Sequence, residues 1–417
     1  MKVRINPYCV LLSFVILGMT RFSYLFPSSI GFSFISFENI VSYFIIGWAI
    51  IVIVSEHSSI SKFKYWWIPF AGIVLILLSS LQGHFLYSGQ GLFDGVIGQI
   101  YGIAGLLLYF PISSLLHAKK ITIHDLENVF IFCSVFQMIV YYAQFIVGPN
   151  HVFLSCYYLT ESARESVYRI RLYGNVQPIT IALFFCLNSI LHSKNKMRSL
   201  IVIVMTIIFA IVINQGRAYI ISIVILVIVA PLLKPQKKNK LFFILLLMAA
   251  IVYWLVNTDF FQNALAVFQT SNIDTRSDTV GVRLRAQSYF METVRNHWLL
   301  GGGYPNVSVS SAYIAIGYEL GYRLVDVGVY AFIYKYGLIG CLWALYILIL
   351  LIKNGLHLRK TKNDVILLLE VILLLVGFFT SVSWFDGFGF YTLMIWIIYA
   401  EVLKGEGNVR KIKRVAG

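Results

Sequence analysis

Residues 281–303, GVRLRAQSYFMETVRNHWLLGGG, carry the side chains best suited to chemistry in this chain. Arg283, Arg285 and Arg295 fall on a stretch with amphipathic helical spacing, followed by His297 and then Gly301-Gly302-Gly303. A guanidinium grips phosphate or carboxylate through two parallel N–H donors, which an ammonium cannot do. On a helix Arg283 aligns with Gln287 and Arg285 with Tyr289, so the two arginines face different directions. A solvated loop helix with ordinary surface arginines has the same spacing. The glycines permit left-handed backbone and close approach of a ligand, or serve only as a helix stop and turn. His297 fits a helix-end cation or a packing residue better than a base.

Other candidates lie along the chain. Arg217, in NQGRAY, sits between two apolar runs, where an arginine either snorkels to the interface or marks a site. Asp326, in RLVDVGVY, opens an apolar run; it suits a helix N-cap, a pair with Arg323, or a carboxylate that takes a proton from a hydroxyl. Lys335 lies deeper in that run and needs a partner, with Glu370 and Asp386 available. No Walker loop, dinucleotide fingerprint or His-Glu-x-x-His is present, and the outer loops have no Asp-x-Asp pair for a divalent ion. Neither a metal nor a cofactor is expected.

The elements that must position these residues are membrane helices. Of the 417 residues 59% are hydrophobic and only 12% charged, about half the charge of a soluble domain. The apolar runs are long enough to cross a bilayer as helices, at about 8–26, 40–55, 66–81, 97–117, 127–147, 175–192, 199–214, 218–233, 241–257, 326–352, 365–382 and 387–404. The expected fold is an all-α polytopic transmembrane bundle of about 12 spans with both termini cytoplasmic. Residues 1–257 hold the first nine helices and an outer loop at about 148–174. A large, partly helical outer loop covers 258–325, and 326–417 holds the last three helices and a basic tail. The first run follows Lys2 and Arg4 but lacks a small-x-small cleavage site, so it reads as an uncleaved helix.

The formal net charge of +15 does not point to nucleic acid. With the N-terminus inside, 22 of the 33 basic residues fall in inner connectors, as the positive-inside rule requires. The ten on the outer side are all arginine: Arg21, Arg164, Arg169, Arg171, Arg217, Arg276, Arg283, Arg285, Arg295 and Arg323. An anionic ligand accounts for that choice through arginine's planar fork; stronger exclusion of lysine from translocated loops is the plainer account. The cysteines at 9, 133, 156, 186 and 341 are scattered and form neither a disulfide framework nor a metal spacing.

At these residues the chain resembles the O-antigen ligase and polymerase superfamily of bacterial surface-polysaccharide enzymes. Members place an arginine before a helix in the large outer loop, and the helix ends in a Pro-apolar-apolar-Gly-x-Gly turn. Arg283 followed by SYFMETVRNH and WLLGGG matches the spacing, with Trp298 in place of the proline and Gln287 where tryptophan is frequent. QGRAY supplies Arg217 for a Ser-Arg-Gly pattern, with Gly216 replacing the serine. Ligases carry His-Asn eleven residues before a Gly-Leu-Ile-Gly turn; here GLIG is at 337–340 and Asp326 holds the earlier position, which favours the polymerase branch.

The resemblance implies a GT-C-like, inverting, metal-independent glycosyltransferase of the bacterial inner membrane. Its donor would be an undecaprenyl-diphosphate-linked oligosaccharide. Arg217, Arg283 and Arg285 would bind the diphosphate, Arg283 would stabilise the leaving group, and Asp326 would assist the attacking hydroxyl. Arg169, Arg171, His297 and Tyr304 become candidate sugar or acceptor contacts. The implied partners are membrane lipid, a chain-length regulator and a flippase. A ligase making one transfer, or a lipid-linked sugar transporter, are the alternatives.

Overall fold

The computed structural model describes residues 6–19, 37–56, 63–147, 158–159, 171–172, 176–192, 196–214, 216–234, 277–379 and 389–415. These residues are almost entirely helical. The helices are α1 (Pro7–Met19), α2 (Phe37–Ser55), α3 (Trp67–Leu86), α4 (Leu92–Ile97), α5 (Ile100–Leu107), α6 (Tyr109–His117), α7 (Ile123–Val147), α8 (Gln177–Leu191), α9 (Lys196–Ile208), α10 (Arg217–Leu233), α11 (Ser277–Asn296), α12 (Ser310–Ala315), α13 (Val329–Lys362), α14 (Ile366–Phe379) and α15 (Gly389–Val415). A π-helical turn, Phe209–Asn214, extends α9. Two short antiparallel strands pair Tyr158–Leu159 with Arg171–Leu172.

Every expected apolar run except 241–257 overlaps a described helix; 241–257 and the parts of other runs at 20–26, 380–382 and 387–388 lie outside the described residues. Five helical segments are long and apolar enough to cross a membrane: Trp67–Leu86, Ile100–His117, Ile123–Val147, Lys196–Asn214 and Val329–Lys362. Several of the apolar helices, α2 among the shorter ones, bury side chains on one face while presenting large apolar residues on the other. In α2 Ile45 and Ala49 are buried, whereas Ile51 and Val54 are among the most exposed apolar residues. Such a two-sided apolar surface suits lipid rather than water.

One end of the bundle gathers lysine-bearing connectors. The Asn6 side chain donates to the Lys120 carbonyl at 2.9 Å. Glu401 accepts the Lys64 backbone N–H at 2.9 Å and lies 3.4 Å from His117 Nε2. Lys404 Nζ donates to Asn354 Oδ1 at 3.2 Å, and His192 Nε2 sits 3.2 Å from the Lys362 carbonyl. Lys234 Nζ donates to the Leu191 carbonyl. Residues far apart in sequence therefore meet at one pole, as an alternating topology demands. The arginine-bearing helix α11 lies against the other half of α13.

The expected span 326–352 needs correction. Helix α13 starts at Val329 and runs to Lys362, and it is broken at Gly337 (φ 57°, ψ −152°). Glycine alone adopts that backbone conformation without strain. A break inside an apolar helix exposes backbone groups that lipid cannot satisfy, so another segment must supply partners. That segment is the glycine turn after α11.

Candidate arginine helix and its clamp

Helix α11 buries Ala286, Phe290 and Val294, spaced four apart, against Leu324, Val327, Ala331 and Tyr334. The Phe290 and Tyr334 rings meet at 5.2 Å and 62°. The expected amphipathic helix is thus present, and Arg283, Arg285 and Arg295 lie on its exposed side.

After α11 the chain descends into the break of α13. The Leu338 N–H donates to the Trp298 carbonyl at 3.0 Å, and the Ile339 N–H to the Leu299 carbonyl at 3.3 Å. In return the Gly302 N–H donates to the Tyr334 carbonyl at 2.7 Å. The Tyr87 hydroxyl donates to the Gly302 carbonyl at 2.8 Å and lies 2.7 Å from the Tyr334 hydroxyl. Burial first, and then the Tyr334 hydroxyl, push the Tyr87 phenol far above its ordinary range, so it stays protonated. The two glycine-rich motifs, WLLGGG and GLIG, therefore form one interlocked backbone unit.

This corrects the reading of the glycines as an approach for ligand. A side chain on Gly302 would strike the Tyr334 ring, and one on Gly303 would strike the backbone of Ser79 and Gly83. The close approach they permit is to the protein itself. His297 takes part through its backbone: its carbonyl accepts the Gly301 N–H at 2.6 Å, and its half-buried ring closes the end of α11.

Tyr304, which follows the glycine unit in sequence, is held by three hydrogen bonds. Its N–H donates to the Ser79 carbonyl at 3.0 Å, its carbonyl accepts from Gln90 Nε2 at 2.8 Å, and its hydroxyl donates to the Gly98 carbonyl at 3.0 Å. The buried Lys335 ammonium lies 5.4 Å from its ring centre, a cation–π distance. Glu370 is buried on α14 and forms no ion pair with Lys335, and among the described residues neither of its carboxyl oxygens is hydrogen-bonded. Asp386, the other expected partner of Lys335, lies outside the described residues.

Asp326 ends a 3-10 turn, Leu324–Asp326, and its N–H donates to the Arg323 carbonyl at 3.1 Å. The N-cap of α13 is Gly328, not Asp326, because Asp326 closes the 3-10 turn two residues earlier. The expected Arg323–Asp326 pair does not form. Arg323 instead stacks on Tyr318 at 3.2 Å and donates to the Tyr318 and Tyr322 carbonyls. The half-exposed Asp326 carboxylate is thus held by a turn whose neighbours, Leu324 and Val327, pack on α11.

Sequence reasoning missed an aromatic groove beside this turn. Leu284, Arg285, Ser288, Tyr289, Glu292 and Tyr322 line an open groove of about 460 Å³. Tyr289 and Tyr322 meet at 5.4 Å, and the Tyr289 hydroxyl is fixed to the Ala315 carbonyl at 2.9 Å. The i,i+4 relation of Arg285 to Tyr289 was legible; Tyr322 comes from a loop that no periodicity could place.

The remaining candidates separate. Arg283 and Arg285 share α11, on which the turn that holds Asp326 packs through Leu324 and Val327. Arg217 is the first residue of α10, after N-cap Gly216, and its side chain lies outside the described residues. Helix α10 packs on α14, which packs on α13, so α10 and α11 both border the α13–α14 pair. Arg171 is placed only as a strand residue opposite Leu159, and Arg169 lies outside the described residues. Among the described residues no three His, Cys, Asp or Glu side chains converge as a metal site requires. Neither a family model nor a curated protein matches this chain.

Proposed function

We propose that this protein is a bacterial surface-polysaccharide polymerase. It joins undecaprenyl-diphosphate-linked repeat units on the outer side of the inner membrane, by metal-independent inverting glycosyl transfer within a polytopic, roughly twelve-span, GT-C-like bundle. The observation that carries this reading is the mounting of α11. Helix α11 carries exposed arginines, and the turn that follows it, Trp298–Gly302, is hydrogen-bonded into the break of an apolar helix, which supports a site beside the membrane helices. Guanidinium groups held in advance stabilise charge on a leaving diphosphate without reorganising during the reaction.

In this scheme Arg283, with Arg217 and Arg285, holds the diphosphate of the donor. A hydroxyl of a second lipid-linked unit attacks the anomeric carbon, the C–O bond to the diphosphate breaks, and the hydroxyl proton passes to Asp326. The growing chain is transferred onto the new unit, and undecaprenyl diphosphate leaves.

A second reading has support of its own. A broken helix and a buried carboxyl such as Glu370 are features that transporters use. One experiment tests both. Purified protein is given lipid-diphosphate-linked repeat units from its own pathway, without nucleotide. A ladder of lipid-linked oligomers is expected. Transfer only to a different acceptor means a ligase, and passage of lipid-linked sugar across a vesicle with no transfer means a transporter.

A further inference from the structure

The opposite pole holds a feature that this chemistry does not use. Lys64 Nζ lies 5.5 Å from the centre of the Tyr65 ring. The Tyr65 hydroxyl accepts from Asn354 Nδ2 at 3.2 Å, and Asn354 Oδ1 accepts from Lys404 Nζ at 3.2 Å. Lys353 adjoins Asn354 in sequence. Lys64, from the lead into α3, and Lys404, from α15, therefore meet one buried Tyr–Asn pair, and the neighbouring Lys353 of α13 is exposed.

Among the described residues none of the three forms an ion pair. The nearby carboxylate, Glu401, is already engaged by the Tyr109 hydroxyl at 2.5 Å, the Lys64 backbone N–H and His117. Like charges held together without a counter-ion cost stability, which an anion would recover. Trp66 and Trp67, two and three residues after Lys64, are exposed, as is Tyr346, and Trp67 meets Tyr346 at 4.8 Å. Exposed tryptophan and tyrosine mark the headgroup level, and basic pockets between helices there suit lipid phosphate.

We propose that Lys64, Lys353 and Lys404 form a binding site for an anionic phospholipid. Its phosphate is held by the three ammonium groups, and its acyl chains lie along Trp67 and Tyr346 between α3 and α13. The site does not depend on the polymerase reading.

The test is native mass spectrometry of the full-length protein in detergent with phosphatidylglycerol, cardiolipin or phosphatidylcholine added. Anionic lipid is expected to be retained over phosphatidylcholine, and added salt should weaken that preference. The Lys64→Gln/Lys353→Gln/Lys404→Gln variant should bind phosphatidylglycerol about a hundredfold more weakly, at roughly a fivefold loss per lysine. The Lys→Arg triple should keep binding, while Lys119→Gln/Lys120→Gln, at the same pole, should leave it unchanged. Equal retention of anionic and zwitterionic lipid, or unchanged binding in the glutamine triple, would overturn the proposal. Displacement of the lipid by millimolar inorganic phosphate would overturn it in favour of a free-anion site. If the glutamine triple does not fold, an absent salt effect on the unaltered protein overturns it equally.

Discussion

Gly337 and Gly301 meet backbone to backbone: a side chain on Gly337 would place its Cβ 2.5 Å from the Gly301 nitrogen, with Leu299 equally close. Both glycines have positive φ, 57° and 71°. Gly337→Ala and Gly301→Ala therefore combine a strained backbone, about 1–3 kcal/mol, with a clash that neither chain can relieve. Each variant is expected to lower the thermal midpoint and the yield of folded protein markedly, read by fluorescence-detected size exclusion after heating. An unchanged midpoint for Gly337→Ala would mean that the break in α13 is not held as described.

Tyr87→Phe removes one hydroxyl that serves two partners, the Gly302 carbonyl and the Tyr334 hydroxyl. Leaving buried polar groups unpaired costs about 1–3 kcal/mol. The variant should fold but melt earlier, and Tyr334→Phe, which spares the Gly302 bond, should cost less. Thermal melts of the two side by side check the order.

Phe290→Ala acts on the seat of α11. The ring is fully buried against Tyr334, and truncation of a buried phenylalanine costs about 3–5 kcal/mol. Because the main bundle is a separate apolar cluster, the expected result is loss of activity with the bundle intact. Limited proteolysis should then cut near α11 before the membrane helices.

Arg283→Ala should lower polymer formation roughly ten- to a hundredfold, the loss of one charge-assisted hydrogen bond of about 1.5–3 kcal/mol. The side chain is exposed, so protein abundance should not change. Arg283→Lys should restore activity only in part, since the charge returns without the fork. Normal chain length in the alanine variant at normal abundance would remove Arg283 from the mechanism.

Asp326→Ala separates two roles more cleanly than the sequence allowed. Because Gly328 caps α13, losing the carboxylate should change stability by no more than about 0.5 kcal/mol. A large fall in turnover with an unchanged melting point is the expected outcome; full activity would leave Asp326 as a turn residue.

Hydrophobic patterning made the helices legible because lipid-facing and core-facing surfaces are both apolar and runs of that length have few other uses. Helix α11 was legible for the opposite reason: apolar residues such as Ala286, Phe290 and Val294 recur at helical spacing through a stretch rich in charged and polar ones. The break at Gly337 was not, since GLIG within an apolar run reads as continuous helix until its partner is known. That partner, Leu299–Gly302, comes from a separate stretch of sequence, and Tyr87 lies further still. The start of α13 was misplaced by a few residues because capping preference does not distinguish a 3-10 lead-in from the helix itself. The lysine-bearing connectors were legible as short basic stretches, but the Tyr65–Asn354 pair that Lys64 and Lys404 meet depends on tertiary packing.

The interlocked glycine unit also sets a rule for recombination. Because residues 298–302 complete the hydrogen bonding of 334–339, the large loop is not a cassette that can be exchanged on its own. A chimera whose junction falls after Asn296 would take a foreign clamp into a native break, or the reverse. One that moves 277–340 as a single piece would keep lock and key from the same parent. Specificity carried by the loop could then be transplanted only together with the first half of the helix it closes.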